Sequence, residues 1–174
     1  MRRLLTLVAE ALAPARPVTV DEEAGTLDLT STLPGPPLLV LVREEAATVT
    51  CYALLPVEVP ADRTADAVAL AGALNGGFFT ATVEVGSPAG TVAVRASLAL
   101  GPLVPAPDGR PVLHGDVLGA LLMAVVEDVE DTAERVVDAV ADVVAGRRTP
   151  ADAARDVRTA DLDALVREVE GLGA

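Results

Sequence analysis

One apolar pattern near the C-terminus constrains the fold of this chain more than any other feature. From Asp116 onward, apolar residues recur at alternating spacings of three and four, with Thr132 filling one position of the series. The members are Leu118, Leu122, Val125, Val129, Val136, Val140 and Val143. This spacing, which resembles a coiled-coil seam, predicts one face of an α-helix. If it runs unbroken to Ala145, the helix is about 45 Å long and overhangs a sheet of short strands, so another helix or subunit is expected to cover the overhang.

Three shorter segments also have helical patterns. The first has one apolar face made of Leu4, Leu5, Val8 and Leu12, and because Glu10 interrupts it we interpret it as an amphipathic helix rather than an export signal. The second begins near Asp62, which is placed to cap it, and ends at about Leu74 before Asn75-Gly76-Gly77. The third follows Gly146, with Thr149 as cap and Pro150 at its first position.

Six segments have the composition or the period of β-strands. They are residues 18–22, 26–30, 38–43, 48–55, 78–85 and 91–100. Short connections, such as Ala24-Gly25 and residues 44–47, predict antiparallel pairing. Residues 101–111 are rich in proline and predict a loop. The predicted fold class is therefore α+β: an antiparallel β-sheet with N-terminal, middle and long C-terminal helices, plus an extra C-terminal helix.

The charge of the chain excludes several classes of partner. It has 26 acidic residues against 13 basic ones, all of them arginine, for a net charge of −13 and a pI of about 4.3. Such a charge disfavours direct binding to nucleic acid or to an anionic membrane, and the longest apolar run is too short to span a membrane. Residues 1–114 hold 12 acids and 7 arginines, whereas residues 115–174 hold 14 acids and 6 arginines. The excess negative charge is therefore concentrated in the C-terminal helices, and we expect a soluble, cytoplasmic protein.

The residues that usually carry catalysis are scarce. Cys51 is the single cysteine and lies in an apolar run, where we expect a small buried hydrophobe. His114 is the single histidine, and no nucleophile-elbow pattern surrounds any of the three serines. Gly76-Gly77 follows a helix and enters a strand, which is the reverse of the order in a phosphate-binding loop. We predict no catalytic residue, no metal ligand and no cofactor.

Acidic residues crowd the long helix. They are Glu127, Asp128, Glu130, Asp131, Glu134, Asp138 and Asp142. The leading interpretation is a solvated helix face, where like charges four residues apart repel by a few tenths of a kcal/mol and favour a basic partner. The alternative is a carboxylate-based metal-dependent enzyme or metal-binding module that uses Glu127, Glu130, Asp131 and Glu134, although the Glu-x-x-His motif of helical dinuclear centres is absent.

Three stretches of the chain resemble the YbjN-domain family, whose fold is similar to that of type III secretion chaperones. Residues 53–63 are similar to the family's strand that ends in a Leu-Pro-Val segment before a charged helix start. Leu74-Asn75 matches before the next strand, and residues 90–98 are similar to the final strand. The resemblance covers roughly residues 1–145. It implies an α+β domain, often paired, that binds other proteins or influences regulation, and it carries no catalytic residues.

Together these observations predict a non-enzymatic protein-binding domain, chaperone-like or regulatory, that acts as a homodimer. Residues 1–145 form the YbjN-like, secretion-chaperone-like domain and 146–174 a C-terminal helical extension. The expected partner is a protein with a basic surface, such as a nucleic-acid-binding protein; a structural subunit of a stable hetero-complex is a further alternative. The predicted protein-interaction residues are Leu118, Leu122, Val125, Val129, Val136, Val140, Glu127, Asp131, Glu134 and Asp138.

Overall fold

A six-stranded antiparallel sheet forms the centre of the computed structural model, which describes residues 4–30, 37–78, 80–86, 90–101 and 115–172. The strands are β1 (Val18–Asp21), β2 (Thr26–Leu29), β3 (Leu38–Arg43), β4 (Thr48–Glu58), β5 (Thr82–Gly86) and β6 (Thr91–Ala99). Their order across the sheet is β1-β2-β3-β4-β6-β5, and every neighbouring pair is antiparallel. The pairing predicted from the short connections is therefore confirmed.

Within the described residues, four α-helices pack on this sheet and on one another. They are α1 (Leu4–Leu12), α2 (Thr64–Asn75), α3 (Gly115–Val144) and α4 (Pro150–Leu172), with a 3₁₀ turn at Ala61–Arg63 before α2. α3 contacts β4, β6 and α1, α2 contacts β5, and the N-terminal half of α4 rests on α2 and α3. The predicted α+β class, with a long helix followed by one extra helix, is confirmed.

Burial alternates along β3 and β6, which indicates that the described helices cover one face of the sheet, although Thr50 of β4 is buried on the other face. On β3, Leu38, Val40 and Val42 are buried whereas Leu39 and Leu41 are half-buried, and β6 alternates in the same way. The covered face meets the predicted apolar side of α3, where Leu122 and Val129 have no exposed surface. Burial of each such side chain stabilises the fold by about 1.5–3 kcal/mol.

The unbroken course of α3 follows from its sequence. α3 contains no proline, and Thr132 occupies a buried position within its apolar series. The helix ends where Gly146 adopts a left-handed conformation with φ of 71°. Thr149 then accepts a hydrogen bond from the backbone N–H of Asp152, at 3.2 Å, so the predicted cap of α4 is confirmed.

Three local predictions are wrong. The fifth strand does not begin at residue 78, because β5 starts at Thr82. β4 does not end at Leu55 but continues through Pro56 to Glu58, because the register with β6 shifts between Leu54 and Glu58 and a proline is tolerated at such an irregularity. Asp62 does not cap α2, because it lies within the 3₁₀ turn and the cap position belongs to Arg63, which makes no side-chain capping bond.

One edge of the sheet is closed by a side chain. The amide of Asn75, at the end of α2, donates to the carbonyl of Val83 at 3.0 Å and accepts from its N–H at 2.7 Å. The glycines after Asn75 end α2, as expected, but the asparagine has this additional function, since it supplies the hydrogen bonds that a further strand would make with β5.

Candidate interaction surface

A buried ion pair joins the segment after α1 to the middle of α3. The guanidinium of Arg16 donates two hydrogen bonds to the carboxylate of Glu130, at 2.9 and 2.6 Å, and each side chain is only 6% exposed. Arg16 lies within the turn that follows α1, held by a bond from its own N–H to the carbonyl of Leu12. The pair therefore ties the C-terminal end of α1 to α3.

Hydrogen bonding, burial and nearby charges all act on the pKa of Arg16 in this pair. The hydrogen bonds that Arg16 donates to Glu130 raise the pKa of the guanidinium above its ordinary value, burial opposes this shift, and the charges of Glu130 and Glu127 raise the pKa further. The Nε atom of Arg16 is buried without a hydrogen-bond partner. Because a buried charge left alone is costly, each member of the pair stabilises the fold chiefly by neutralising the other.

Carboxylates hold both ends of α1. At the N-terminal end, the side chain of Glu44 accepts hydrogen bonds from the backbone N–H groups of Leu4 and Leu5, at 2.9 and 3.1 Å. These groups have no partner within a helix, and a negative charge there also complements the helix dipole. Glu44 lies in the β3–β4 connection, so the bond fixes α1 to the sheet as well.

The four predicted acidic interaction residues are all exposed on α3. They are Glu127, Asp131, Glu134 and Asp138. Their neighbour Asp128 accepts a hydrogen bond from Thr80 at 2.6 Å, and Arg135 reaches Asp161 of α4 at 3.1 Å. Asp128, Asp131, Glu134 and Arg135 line a shallow depression on the surface.

The six predicted apolar interaction residues lie on the opposite side of α3. Leu118, Leu122, Val129, Val136 and Val140 are buried in the core of the chain itself, and Val125 is half-buried. A partner would have to displace elements that pack against α3, which are the sheet, α1, α2 and α4, to reach the buried five. Contact between a partner and any of the ten residues stays a prediction.

A second stripe on α3, whose side chains are exposed or half-buried, is not among the sequence predictions. It comprises Val117, Leu121, Ala124, Asp128, Asp131, Arg135, Asp138 and Asp142, and we call it the outer α3 stripe. Val117 and Leu121 are 51% and 42% exposed. The signal was available, because these residues also recur at spacings of four and three, but the larger apolar series on the other side of the helix obscured it.

The metal-binding alternative needs Glu130 as a ligand together with Glu127, Asp131 and Glu134. The structure does not bring these carboxylates together as a metal site. Both oxygens of Glu130 accept hydrogen bonds from Arg16, so this carboxylate is directed at a cation of the chain itself. Among the described residues there is no group of three or more His, Cys, Asp or Glu side chains arranged to hold a metal ion. The arrangement of the described carboxylates therefore does not support the metal-binding alternative.

Cys51 and His114 are the single cysteine and the single histidine of the chain. Cys51 is a free cysteine and is 2% exposed in β4, where burial raises the pKa of its thiol to about 12, so the predicted buried hydrophobe is confirmed. His114 lies outside the described residues. Within the described part of the chain, no helix has both the length and the apolar character that crossing a membrane requires.

Comparisons with known proteins identify the fold. No family model and no curated protein matches the sequence. Among solved structures, YbjN from E. coli aligns with a TM-score of 0.52 at 15% identity, over 80% of this chain and 93% of YbjN. The ExsC–ExsE complex contributes a chain that aligns with a TM-score of 0.53 at 16% identity, over 78% of this chain and 91% of its own length. The HopA1–SchA chaperone–effector complex aligns with a TM-score of 0.44 at 17% identity, over 75% of this chain and 91% of the other.

The chain therefore has a YbjN-like, secretion-chaperone-like fold, as its sequence predicted.

Proposed function

We propose that this chain is a non-enzymatic protein-binding domain, chaperone-like or regulatory, that acts as a homodimer. The observation that carries the proposal is the structural similarity to a chain of the ExsC–ExsE complex, a protein seen bound to a protein partner. The similarity extends over most of both chains, so it concerns the whole domain rather than one motif.

The open face of the sheet supports the dimeric part of the proposal. Leu39, Leu41, Tyr52 and Leu54 share this face, with Leu39 directly opposite Tyr52 in the β3–β4 register, and Leu54 is 37% exposed. The sequence of β3 is apolar on both sides of the strand, which is typical of strands that are covered on both faces. A second copy packed here would cover the four side chains.

The charge of the chain supports a partner with a basic surface, such as a nucleic-acid-binding protein. Seven acids and one arginine lie between residues 127 and 142, and the exposed ones create a negative field along one side of α3. Such a field accelerates encounter with a basic protein and improves discrimination more than it raises affinity. We also propose a cytoplasmic location for the protein.

The domain division is supported by the extent of the structural alignment. YbjN covers 80% of the chain, which leaves room for a separate C-terminal element. We therefore propose residues 1–145 as the YbjN-like domain and 146–174 as a helical extension. The extension packs through Ala153, Ala154 and Val157, which are buried.

Purification of the tagged chain from its native cells tests the protein-binding proposal. Bound proteins are eluted and quantified at about 0.05 M and about 0.2 M salt, since exposed charge pairs weaken across this range. We expect one protein in a fixed ratio to the chain, with a basic surface and weaker retention at the higher salt. Recovery of the chain with no protein at either salt would contradict the proposal.

A matched pair of substitutions tests the dimer. Leu54→Lys places a charge on the open face of the sheet, whereas Val68→Lys places the same charge on α2 at a side chain that is 53% exposed. Sedimentation equilibrium is expected to give twice the chain mass for the unmodified protein and for Val68→Lys, and the single chain mass for Leu54→Lys. An unmodified protein with the mass of one chain would refute the homodimer.

A further inference from the structure

We propose that the outer α3 stripe docks a partner protein that presents a small apolar patch next to a cluster of arginine or lysine side chains. This inference rests on the proposed protein-binding function and adds to it the surface and the chemistry of the partner. In this proposal the partner contacts the exposed side of α3 and not the buried side that the sequence predicted.

The N-terminal part of the stripe is apolar. Val117, Leu121 and Ala124 are exposed on successive turns and extend over about 10 Å of the helix. The side of α3 that faces α1 is closed, because Gly119 approaches Ala11 so closely that an added Cβ would lie 3.0 Å from its carbonyl oxygen. Because Val117, Leu121 and Ala124 are exposed, no described helix covers them, and their burial by a partner would be favourable.

The C-terminal part of the stripe is acidic. Asp128, Asp131, Asp138 and Asp142 continue the same three-and-four spacing for about 21 Å. Glu127 and Glu134 are exposed beside them, so the negative surface is wider than the stripe itself.

Internal pairing neutralises only part of this negative surface. Arg135 is engaged by Asp161 at 3.1 Å and stacks over Phe78 at 5.6 Å from the ring centre, and Arg147 pairs with Asp142 at 2.7 Å. Asp131 and Asp138 have no ion pair with any of the residues that the structure describes. A partner with cations at this position would relieve the repulsion among the acids and gain complementary charge contacts.

The order of the two parts along one helix defines the partner more narrowly than charge alone. An evenly basic protein would match only the acidic part, and an apolar one only the first two turns. The partner that matches has an apolar patch and a basic cluster next to each other, in the order in which the two parts of the stripe follow along α3. Salt is therefore expected to weaken binding without abolishing it.

A synthetic helical peptide serves as the probe. It has leucines on one face of its first two turns and arginines on the same face of the following turns, and it carries a fluorescent label. A second peptide has the same composition with leucines and arginines interspersed along its length. Fluorescence anisotropy measures the affinity of each peptide for the full chain at about 0.01 M and about 0.1 M salt.

Two double substitutions remove the two parts of the stripe separately. Val117→Ser with Leu121→Ser removes the apolar part, and Asp131→Asn with Asp138→Asn removes two negative charges. The matched controls lie elsewhere: Val68→Ser on α2, and Glu22→Gln with Glu23→Gln in the exposed β1–β2 turn. Thermal unfolding followed by circular dichroism verifies that all four variants fold.

The segregated peptide is expected to bind the unmodified chain more tightly than the interspersed one. Loss of the apolar part should weaken this binding roughly tenfold at either salt, loss of the two charges should weaken it several-fold at low salt and less at high salt, and the controls should bind as the unmodified chain does. Equal binding of both peptides, or equal loss in variants and controls, would overturn the proposal.

Failure of this proposal can be distinguished from failure of the proposed function. If the segregated peptide does not bind the unmodified chain, the outer α3 stripe is not a docking surface of this chemistry. The protein-binding function is decided separately by the native purification, which depends on neither the peptide nor the stripe.

Discussion

Removal of the Glu130 carboxylate tests how α1 and α3 are held together. The substitution Glu130→Ala leaves the guanidinium of Arg16, which is 6% exposed and already has an unpartnered Nε, without either of its two hydrogen bonds to the carboxylate. An uncompensated charge at such a site destabilises a protein by about 3–5 kcal/mol. For a chain of this size that corresponds to a decrease in Tm of roughly 6–20 °C.

The reciprocal and double substitutions separate the charge effect from packing. Arg16→Met leaves the carboxylate unpaired and is expected to cost a similar amount. Arg16→Met combined with Glu130→Met removes both charges while retaining side-chain volume, and it should be more stable than either single variant, because replacing a buried pair by apolar groups is often neutral or stabilising.

Urea unfolding followed by circular dichroism measures the three free energies of unfolding. The control is Arg147→Met, which breaks the exposed pair with Asp142, where Arg147 is 60% exposed, and should change the free energy by less than about 1 kcal/mol. If each substitution at Arg16 or Glu130 costs as little as the control, or if the double variant is no more stable than either single variant, the pair does not act as described.

Three further predictions concern single side chains. Cys51, whose pKa is raised to about 12 by burial, should resist a thiol reagent at neutral pH in the folded chain and react promptly in urea; rapid labelling of the folded chain would contradict its burial. Asn75→Ala should destabilise the protein by about 1–3 kcal/mol in urea unfolding, because the N–H and C=O of Val83 lose their partner, and an unchanged stability would show that water replaces the amide. The hydrogen bond from Thr149, followed by that from Arg155, lowers the pKa of Asp152. The contribution of the Asp152 carboxylate to stability is therefore present above the ordinary aspartate pKa and is lost as the pH falls through the lowered value. Titration of the Asp152 carboxyl by NMR should show its midpoint moving upward in Thr149→Ala, and an unchanged midpoint would contradict this account.

The elements of the fold were predictable where local patterns and tertiary packing agree. The α3 period, the glycine that ends it and the Thr149 cap each determine local structure, and the structure has all three. β4 was predicted too short, because the irregularity that accommodates Pro56 arises from pairing with β6, a partner distant in sequence. The capping of α2 by Asp62 was predicted from its local sequence, whereas the structure places Asp62 within the 3₁₀ turn that precedes the helix.

The candidate surface was predictable only in part. The exposure of Glu127, Asp131, Glu134 and Asp138 follows from their place opposite the apolar face of α3, and the structure has them there. Glu130 was grouped with these acids, yet it is buried, because Arg16 lies 114 residues away in sequence and its approach is a property of the tertiary fold alone. Val117 and Leu121 follow the four-and-three spacing of the outer α3 stripe, but the larger core series beside them has the same period, and their exposure in the structure separates them from core residues.

Native mass spectrometry of the complex purified from its own cells tests the central claim most directly. The proposed function predicts an assembly that contains two copies of this chain together with a bound protein partner. A chain recovered at the mass of a single copy, with no protein bound, would contradict it.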